Sequence, residues 1–350
     1  MIRFLAASLL ALLILRGQAQ NAPPAQRDPV RVDEKTEAVL KGALKWLASK
    51  QAPNGEWATT EEEKKHPVAI AGYALMAFLA CGHLPGEGEY GRNVSAGVQY
   101  LLDHTQAEGY IGNPNDDKYM YGHGIACTAL AEIYGQTKAA SMRPKLEKAI
   151  KLIIVSQSKD DIHEGGWRYK PVSRDADISV TVLQVVALRS AKNAGLAVPQ
   201  KTIDDAVKYV KRCFVPKEGG FVYQPRPGQE PGFARTAAAI YSLQVCGLYD
   251  DPLVAKGSDY LMREFRDRHD LFWTYGNFYA APAQYMRGGE TWVKWYALVK
   301  RPLLASVITR GNDAYWEQPS GDRTVGPVWC TAIYTMILAM PYHYIPLYQR

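Results

Sequence analysis

The sequence predicts an all-α fold, a single α/α toroid of about six helix pairs in which one helix of each pair joins an outer ring and the other an inner ring. An aromatic residue follows a turn in each unit, at steps of 53, 57, 54, 52 and 43 residues. Amphipathic helices alternate with helices that are apolar or small on nearly every side. Isolated pairs of this kind leave apolar surface uncovered, so neighbouring pairs must stack. Closure into a ring is favoured, and an open solenoid is the alternative.

The turn aromatics define the repeat. They are Trp57, Tyr110, Trp167, Phe221, Trp273 and Trp316. Glycine precedes most of them, as in QAPNGEW, HEGGW and KEGGF. Because glycine adopts positive φ without strain, these glycines are expected to reverse the chain, and each aromatic is expected to wedge between neighbouring units.

Residues 1–19 have the pattern of a signal peptide. Arg3 gives a positive start, an apolar run of 12 residues follows, and Gly17 and Ala19 provide the small residues of a cleavage site. The apolar run is too short to span a bilayer core. Residues 20–32 are then expected to form a disordered lead-in and residues 33–350 the toroid domain. The mature protein is expected to be periplasmic or secreted, with no transmembrane segment after cleavage; an uncleaved anchor is the alternative.

The first helix of each unit carries its apolar residues at three- and four-residue spacing, as in VLKGALKWLASKQ, AIKLIIVSQ and DDAVKYVKRCF. This pattern suits an outer ring that faces solvent. The second helices suit an inner ring buried on both sides; they are AIAGYALMAFLAC, GIACTALAEIY, ISVTVLQVVAL, TAAAIYSLQVC and VWCTAIYTMILAM. The β-branched residues of ISVTVLQVVAL locally favour a strand, but its place in the repeat predicts a helix.

Charge and cysteine content narrow the functional classes. A formal net charge of +6, without Lys/Arg runs interleaved with aromatics, is too mild to indicate nucleic acid. The five cysteines are an odd number and are expected to be small core residues rather than disulfide partners. The run Glu61–Lys65 is expected to be a solvated loop. The sequence contains no P-loop, dinucleotide-binding, Gly-x-Ser-x-Gly or His-x-x-x-His pattern, so neither a cofactor nor a metal is expected.

The segment QAPNGEW matches the Q-x-x-x-G-x-W signature of the squalene cyclase and prenyltransferase repeat family, and the Gly-Gly-aromatic turns at 165–167 and 219–221 are similar to it. The resemblance spans roughly residues 35–345 and implies the same α/α toroid. The chain resembles exported bacterial members with one barrel, whereas triterpene cyclases have two. Protein prenyltransferases also have a single barrel, but the pattern of their zinc ligands does not occur in this sequence.

The resemblance also implies catalytic residues. In triterpene cyclases an Asp-x-Asp-Asp-Thr-Ala motif opens an inner helix, and its middle Asp protonates the alkene. Asp177 falls at that position and Asp175 at the first Asp of the motif. Ile178 replaces the third Asp, which removes a neighbour that would strengthen the acid. The alternative for both aspartates is a helix cap, since a carboxylate at a helix N-terminus accepts backbone N–H groups.

Other polar and aromatic residues lie just before or inside the inner helices, so a toroid should gather them at one mouth of its cavity. His123 is the third candidate catalytic residue, as an acid–base partner of Asp177; a capping or core histidine is the alternative. His66 and Asp116 belong to the same group of polar residues. The candidate substrate-binding residues are Trp167, Tyr169, Tyr121, Asp117 and Arg235.

Three functions fit this sequence. The first is a terpenoid cyclase-like protein that holds an isoprenoid or another apolar lipid in the central cavity and isomerises or cyclises it by acid catalysis. The second is a non-catalytic repeat scaffold that binds a protein partner in the cell envelope. The third is a carbohydrate-active hydrolase or lyase of the six-pair α/α type, whose two carboxylates would be Asp177 and either Asp116 or Asp117. An open groove with Trp and Tyr platforms favours the third, and an aliphatic lining argues against it.

Overall fold

A computed structural model describes residues 28–113, 116, 118–267 and 271–348. The signal peptide expected over residues 1–19 lies outside this part. Within it the chain forms twelve α-helices and two β-hairpins, in the order α1 Glu34–Lys50, α2 Pro67–Ala80, α3 Gly91–Asp103, α4 Tyr119–Thr137, α5 Arg143–Val155, α6 Ile178–Asn193, α7 Gln200–Arg212, β1 Phe214–Val215, β2 Gly220–Phe221, α8 Phe233–Val245, α9 Pro252–Glu264, α10 Trp273–Arg287, α11 Gly289–Ser306, β3 Ile308–Arg310, β4 Asp313–Tyr315 and α12 Pro327–Ala339. None of the helices described is long and apolar enough to cross a membrane.

The even-numbered helices close into an inner ring. Each packs on the next even-numbered helix along the chain, and α12 then packs on α2. Every residue of α2 from Ile70 to Ala80 is buried, and so is the whole of ISVTVLQVVAL in α6, which forms a helix because the ring covers both of its sides. The odd-numbered helices form the outer ring and bury one face. The predicted α/α toroid is therefore confirmed, and the open solenoid is excluded.

The Gly-aromatic turn joins neighbouring units. In the third unit Gln157 Nε2 donates to Gly165 O at 3.0 Å and to Thr202 O of α7 at 2.8 Å. Gly165 has φ +90°, and a Cβ there would lie 2.1 Å from Asp205 O of α7. The turn therefore needs glycine both for its backbone angle and for its contact with the next outer helix. The indole of Trp167 donates to a backbone carbonyl of α5 at 2.7 Å, which fixes the turn to its own unit.

The same turn recurs in other units, with one exception. In the first unit Gln51 bonds the start of α3, and the Trp57 indole donates to a carbonyl of α1 at 2.9 Å. The Trp316 indole donates to a carbonyl of α11 at 2.8 Å. Trp273 differs, because it is the first residue of α10 and follows no glycine turn; Phe272 takes the positive φ of 68° instead. Trp273 therefore belongs to the ladder of turn aromatics by its spacing but not by its turn.

Glu63 contradicts the expectation of a solvated loop over Glu61–Lys65. Its side chain is fully buried. Its Oε1 accepts the backbone N–H groups of Val328 at 2.8 Å and Trp329 at 3.3 Å, at the start of α12. Its Oε2 accepts the N–H and the hydroxyl of Thr59 at 2.9 and 2.7 Å. A carboxylate is favoured at a helix N-terminus, so Glu63 holds the last inner helix against the loop that precedes the first one.

The C-terminal segment covers the end of the ring where the inner helices finish. Short 3-10 turns at Met340–Tyr342 and Pro346–Tyr348 pack on α6, α10 and α12. Leu347 N–H donates to the carboxylate of Glu132 in α4 at 3.4 Å, and burial raises the pKa of that carboxyl to about 7. A ligand therefore approaches the ring axis from the opposite end, where the inner helices begin.

The described chain starts against the ring. Trp292 of α11 donates from its indole to Asp28 at 3.1 Å, and Val30 is buried. The lead-in expected to be disordered over residues 20–32 is thus packed from Asp28 onward, because its apolar and acidic side chains find partners on the outer ring. Residues 20–27 lie outside the described part.

The five cysteines are all free thiols. Cys127, Cys213 and Cys330 are buried, and Cys81 and Cys246 are half-buried. Burial raises the pKa of each thiol, so these groups stay protonated. They serve the fold as small apolar side chains.

We expect Glu63→Ala to lower the free energy of unfolding by about 3 kcal/mol, because the buried N–H groups at the start of α12 and in the preceding loop lose their acceptor. Urea denaturation of the purified protein measures this change. Glu61→Ala is the matched control, since that side chain is 90% exposed, and it should change stability by less than about 0.5 kcal/mol. Equal effects of the two substitutions would show that Glu63 does not hold the ring closed.

Candidate functional site at the mouth of the ring

The inner helices begin at one end of the ring, because the start of one helix bonds to the segment that precedes its neighbour. Met120 N–H of α4 donates to Tyr169 O before α6, and Ile178 N–H of α6 donates to Tyr223 O before α8, both at 3.0 Å. Glu63 makes the corresponding link between α12 and α2. We call this end of the ring the mouth. Side chains from segments far apart in sequence meet there.

Seven aromatic side chains gather at the mouth, and five of them are tyrosines. They are called the aromatic mouth: Tyr73, Tyr121, Tyr169, Tyr223, Tyr275, Phe278 and Trp329. Tyr73 packs on Phe278 and Trp329, with ring centres 5.4 and 6.0 Å apart. Tyr121 packs on Tyr169 at 5.9 Å. Five of the seven rings are only half-buried, so part of their surface is exposed at the mouth.

Arg168 organises the two candidate aspartates. Its Nη1 donates to the Asp177 carboxylate and, at 2.6 Å, to the Tyr223 hydroxyl, while its Nε lies 3.1 Å from the Asp175 carboxylate. Asp177 is also the N-cap of α6, since its Oδ1 accepts Val180 N–H at 2.9 Å. Burial raises the pKa of Asp177, and the Val180 and Arg168 donors oppose that shift. The carboxylate of Asp177 therefore has a cap partner and a cation partner at the same time.

His66 and Asp116 form a second polar pair at the mouth. His66 Nδ1 lies 3.3 Å from Asp116 Oδ2, across 50 residues of sequence. Asp116 Oδ1 accepts Lys118 N–H at 2.8 Å, and Lys170 Nζ donates to the Asp116 carbonyl. Burial acts to raise the pKa of Asp116, but His66 and the backbone of Lys118 hold it below its usual value. The side chains of His66 and Asp116 are 28% and 16% exposed, so the pair can meet a ligand.

His123 lies in the wall of the ring, away from Asp177. Its Nδ1 accepts Ile111 N–H at 3.2 Å, and its Nε2 donates to Ala149 O at 3.1 Å. Burial lowers the pKa of His123 to about 4, so the imidazole is neutral. It takes the place that Thr181 has in the next unit, where the threonine hydroxyl accepts a turn N–H. His123 therefore has the bonds of a core histidine, which is the alternative to the expected role as an acid–base partner of Asp177.

The structure separates the other candidate residues. Tyr121 and Tyr169 belong to the aromatic mouth. Trp167 is fully buried in its turn, with its indole bonded to a backbone carbonyl. Arg235 stands at the start of α8, where it lines a pocket beside the mouth. Asp117 lies outside the described residues.

Sequence reasoning did not single out Arg168, Tyr223 or Tyr275, although one signal was present. The turns HEGGWRY and KEGGFVY place Tyr169 and Tyr223 at the same position of two successive units. Equivalent positions in a ring lie side by side, and their hydroxyls are 2.7 Å apart. Tyr275 carries no such signal; its hydroxyl donates to Ser179 O at 3.1 Å across the ring.

Metal binding finds no support in the described part of the chain. It contains no group of three or more His, Cys, Asp or Glu side chains placed to hold an ion. The buried imidazole of His123 has both nitrogens engaged by backbone groups, and its neighbour Cys127 stays protonated. The polar groups at the mouth are organised by hydrogen bonds and ion pairs.

Several solved structures of sugar-converting proteins have a fold similar to that of this chain. A cellobiose 2-epimerase from Bacillus thermoamylovorans is 13% identical, with a TM-score of 0.63 over 88% of this chain and 98% of that one. An inactive variant of an α-1,6-mannanase from Salegentibacter sp. in complex with α-1,6-mannotriose is 8% identical, with a TM-score of 0.65 over 89% and 99%. A D-mannose isomerase is 15% identical, with a TM-score of 0.61 over 87% and 96%. No protein-family model and no curated protein matches the chain. At these identities the likeness establishes the fold, an α/α toroid.

We expect the stability of the protein to depend on the protonation of His123. Its pKa in the folded state, about 4, is below the unfolded value of about 6.5, so the unfolded state takes up the proton first. The contribution of His123 to the free energy of unfolding should therefore fall by about 3 kcal/mol as the pH drops from 6.5 to 4, whereas the contribution of Glu132, whose pKa is raised to about 7, should change in the opposite sense. Urea denaturation of the protein and of a variant without this imidazole, across the same range, isolates the His123 contribution as their difference.

His123→Gln keeps an acceptor and a donor at this site without the titration, so its stability should fall less steeply with acid than that of the unsubstituted protein. The control is His104→Gln, at a half-buried histidine on the outer ring. It should retain the full pH dependence. If His123→Gln behaves like the control, the buried imidazole does not carry the effect.

Proposed function

We propose that the protein binds a carbohydrate at the aromatic mouth and moves a proton on it, with His66 as the acid–base group and Asp116 as the residue that orients His66. The reaction class is epimerisation or isomerisation, in which a base takes a proton from the carbon beside the sugar carbonyl and a proton is returned to the neighbouring position or to the other face. This proposal is a form of the carbohydrate-active alternative. It does not require a second carboxylate.

The chemistry of the mouth carries this proposal. Five of the seven aromatic residues are tyrosines, which offer a flat apolar face to a sugar ring and a hydroxyl to its oxygens. The hydroxyls of Tyr169, Tyr223 and Tyr275 already have protein partners, but a hydrocarbon lying on them would displace water from their remaining hydrogen-bonding positions without replacing it. Each such loss costs about 1–3 kcal/mol. The lining therefore favours a hydroxylated ligand over an isoprenoid.

The His66–Asp116 pair supplies the acid–base group. The Asp116 carboxylate accepts a hydrogen bond from Nδ1–H of His66 and so leaves Nε2 as the basic nitrogen. The pKa of Asp116 is held below its usual value, which keeps this carboxylate ionised. A histidine held by a carboxylate is a general base suited to neutral pH. Both side chains are accessible at the mouth.

Hydrolysis by two carboxylates is less well supported. That chemistry needs one carboxyl group as an acid and another as a base or nucleophile. Asp177 is held by Arg168, Tyr223 and Val180, so its oxygens are occupied. Two of the structural neighbours, a cellobiose 2-epimerase and a D-mannose isomerase, are named for rearrangements of sugars, which agrees with the proton-transfer class.

The pattern of residues 1–19 supports a further part of the proposal, namely that the mature protein acts outside the cytoplasm, as a periplasmic or secreted protein. A hydroxylated ligand at the mouth fits that location, since saccharides are released there from polymers. Fractionation of cells that produce the tagged protein, with N-terminal sequencing of the product, tests it. Recovery of an uncleaved chain in the cytoplasm would contradict it.

We expect His66→Gln to lower proton transfer at least about 100-fold while sugar binding persists, because the general base is lost and the surface is kept. Asp116→Asn should lower the rate of proton transfer by about 10-fold, since the imidazole can still act as a base but is no longer held in its orientation. The measurement is deuterium exchange at the carbon beside the carbonyl, followed by NMR in D2O with a panel of reducing mono- and disaccharides.

Glu290→Gln is the control, because this glutamate is 88% exposed on α11 and bonds only the surface Lys294 among the described residues. Its exchange rate should equal that of the unsubstituted protein. Absence of exchange with every sugar of the panel, or exchange that persists in His66→Gln, would contradict the proposal.

A second candidate function is the binding or cyclisation of an isoprenoid. It is supported by the Gln-Gly-Trp turn of the first and third repeats, whose glutamine bonds the next unit and whose tryptophan bonds its own, in keeping with the resemblance to the squalene cyclase repeat. Asp177 at the start of α6 has the place of the proton donor in that resemblance. Its pairing with Arg168 and the α6 cap engages its oxygens with donors and favours the ionised form, against the burial that raises its pKa, which opposes a proton-donor role.

Asp177→Asn discriminates between the two candidates. We expect it to lower the free energy of unfolding by about 3 kcal/mol, because Arg168 is left without its main partner. We also expect that neither the unsubstituted protein nor the variant converts a polyprenoid. Asp175→Asn is the matched control and should cost less than about 1 kcal/mol, since Asp175 is 37% exposed. Conversion of a polyprenoid by the unsubstituted protein, abolished in a folded Asp177→Asn variant, would establish the isoprenoid function instead.

A further inference from the structure

A pocket of about 270 Å³ lies beside the mouth, between the fourth and fifth helix pairs. It is enclosed by the start of α8, the end of α9 and the start of α10. We call it the junction pocket. The side chains that give it its chemistry are Phe233, Arg235, Phe265, Phe272, Trp273 and Asn277. Its volume is just below the range of about 300–1,000 Å³ that holds drug-sized ligands, so it suits a single ring.

The junction pocket is separate from the aromatic mouth, because α10 presents different faces to the two sites. Trp273 and Asn277 are four residues apart, on the face that lines the pocket. Tyr275 and Phe278 lie on the other side of the helix, where Phe278 packs on Tyr73 of α2. The function proposed for the mouth therefore leaves the pocket unused.

Asn277 provides an unmet hydrogen-bond acceptor in the pocket. The residue is fully buried, and its Nδ2 donates to Trp273 O at 2.9 Å. This bond fixes the orientation of the amide, and Oδ1 then has no donor within the described part of the chain. A buried acceptor without a partner costs about 1–3 kcal/mol. A ligand hydroxyl in the pocket would satisfy it.

The charges around the pocket favour an anion. The guanidinium of Arg235 makes one hydrogen bond within the described residues, from Nη1 to Glu230 O at 3.0 Å. Glu264, the carboxylate among the lining residues, is already paired with Arg263 at 2.9 Å and Arg266 at 3.4 Å. α8 begins at the pocket without a side-chain cap, so the positive end of its dipole adds to the field of Arg235.

The walls of the pocket are aromatic. Phe233 and Phe265 meet edge to face with their ring centres 6.3 Å apart. Phe272 stands at the rim, 41% exposed, and adopts a φ of +68° that a bulky residue rarely takes. Strain of this kind concentrates at ligand sites, where the rest of the structure holds it in place. The walls thus offer flat apolar surfaces to a ring.

We propose that the junction pocket binds a single sugar ring that carries a carboxylate, such as a hexuronate. Its carboxylate lies against Arg235 and the start of α8, a ring hydroxyl donates to Asn277 Oδ1, and one face of the ring packs on the phenylalanines. The choice of a sugar among cyclic hydroxy acids rests on the proposed function. The pocket itself, its unmet acceptor and its positive charge are observed independently of that proposal.

Isothermal titration with D-glucuronate, D-glucose and cyclohexanecarboxylate tests the proposal. Glucuronate should bind at least about 10-fold more tightly than glucose, which lacks the charge, and than cyclohexanecarboxylate, which lacks the hydroxyls. Arg235→Gln should weaken glucuronate binding about 10- to 100-fold through loss of a charge-assisted hydrogen bond. Asn277→Leu should weaken it by about 10-fold without lowering the melting temperature, because it removes an unsatisfied buried acceptor.

Arg143→Gln is the charge-matched control, since Arg143 is 54% exposed on α5, pairs with Glu147 and does not line the pocket. It should leave the affinity within about threefold. Equal binding of glucuronate and glucose, or affinity unchanged in both Arg235→Gln and Asn277→Leu, would overturn the proposal. Equal binding of cyclohexanecarboxylate would overturn the choice of a sugar.

The proposals for the mouth and for the junction pocket can be contradicted independently of each other. His66→Gln should abolish proton transfer at the mouth and leave glucuronate binding unchanged. Glucuronate binding that depends on Arg235, together with no exchange on any sugar, would contradict only the function proposed for the mouth. Binding that is lost in Tyr169→Ala and kept in Arg235→Gln would place the acidic sugar at the mouth and overturn the junction pocket.

Discussion

The carboxylate of Glu63 closes the ring, and the remaining features of the molecule depend on that closure. Inner helices made of small and apolar residues must be covered on both sides, and only a closed ring covers the first and the last of them. Glu63 accepts the N–H groups at the start of α12 from within the loop before α2. Gly326 accommodates this contact, since a Cβ there would lie 2.4 Å from the carboxylate. One buried charge thereby joins the two ends of the repeat.

Closure brings the starts of the inner helices together at one mouth, and this arrangement concentrates positive dipole ends and polar side chains there. The helix ends are satisfied in different ways. Glu63 serves α12, Asp177 serves α6, and the Asp322 carboxylate accepts Thr274 N–H of α10 at 2.8 Å. α8 has no side-chain cap. α8 thus begins at the junction pocket without a side-chain cap, and Arg235 lies in its first turn.

The same residue types have different roles according to the number of partners that reach them. Asp177 is surrounded by donors and supports α6 and Arg168. Asp116 has fewer partners, the partly exposed imidazole of His66 and the backbone N–H of Lys118. His123 has both nitrogens bonded to the backbone and stabilises its unit as a neutral ring. Burial and partner count, rather than residue identity, separate the structural groups from the candidate functional ones.

The sequence by itself determined the repeat and the alternation of outer and inner helices, because these follow from periodicity and turn chemistry that are local along the chain. It favoured a closed ring over an open solenoid, and the contacts of α12 with α2 decided between the two. It also placed Asp177 at a helix start, where capping was one of its two expected roles. Only the tertiary structure decided that Glu63 is buried, that Arg168 pairs with Asp177 and that His66 meets Asp116 across 50 residues. Those contacts depend on which units become neighbours, and on the register of each, once the ring has closed; no local pattern encodes either.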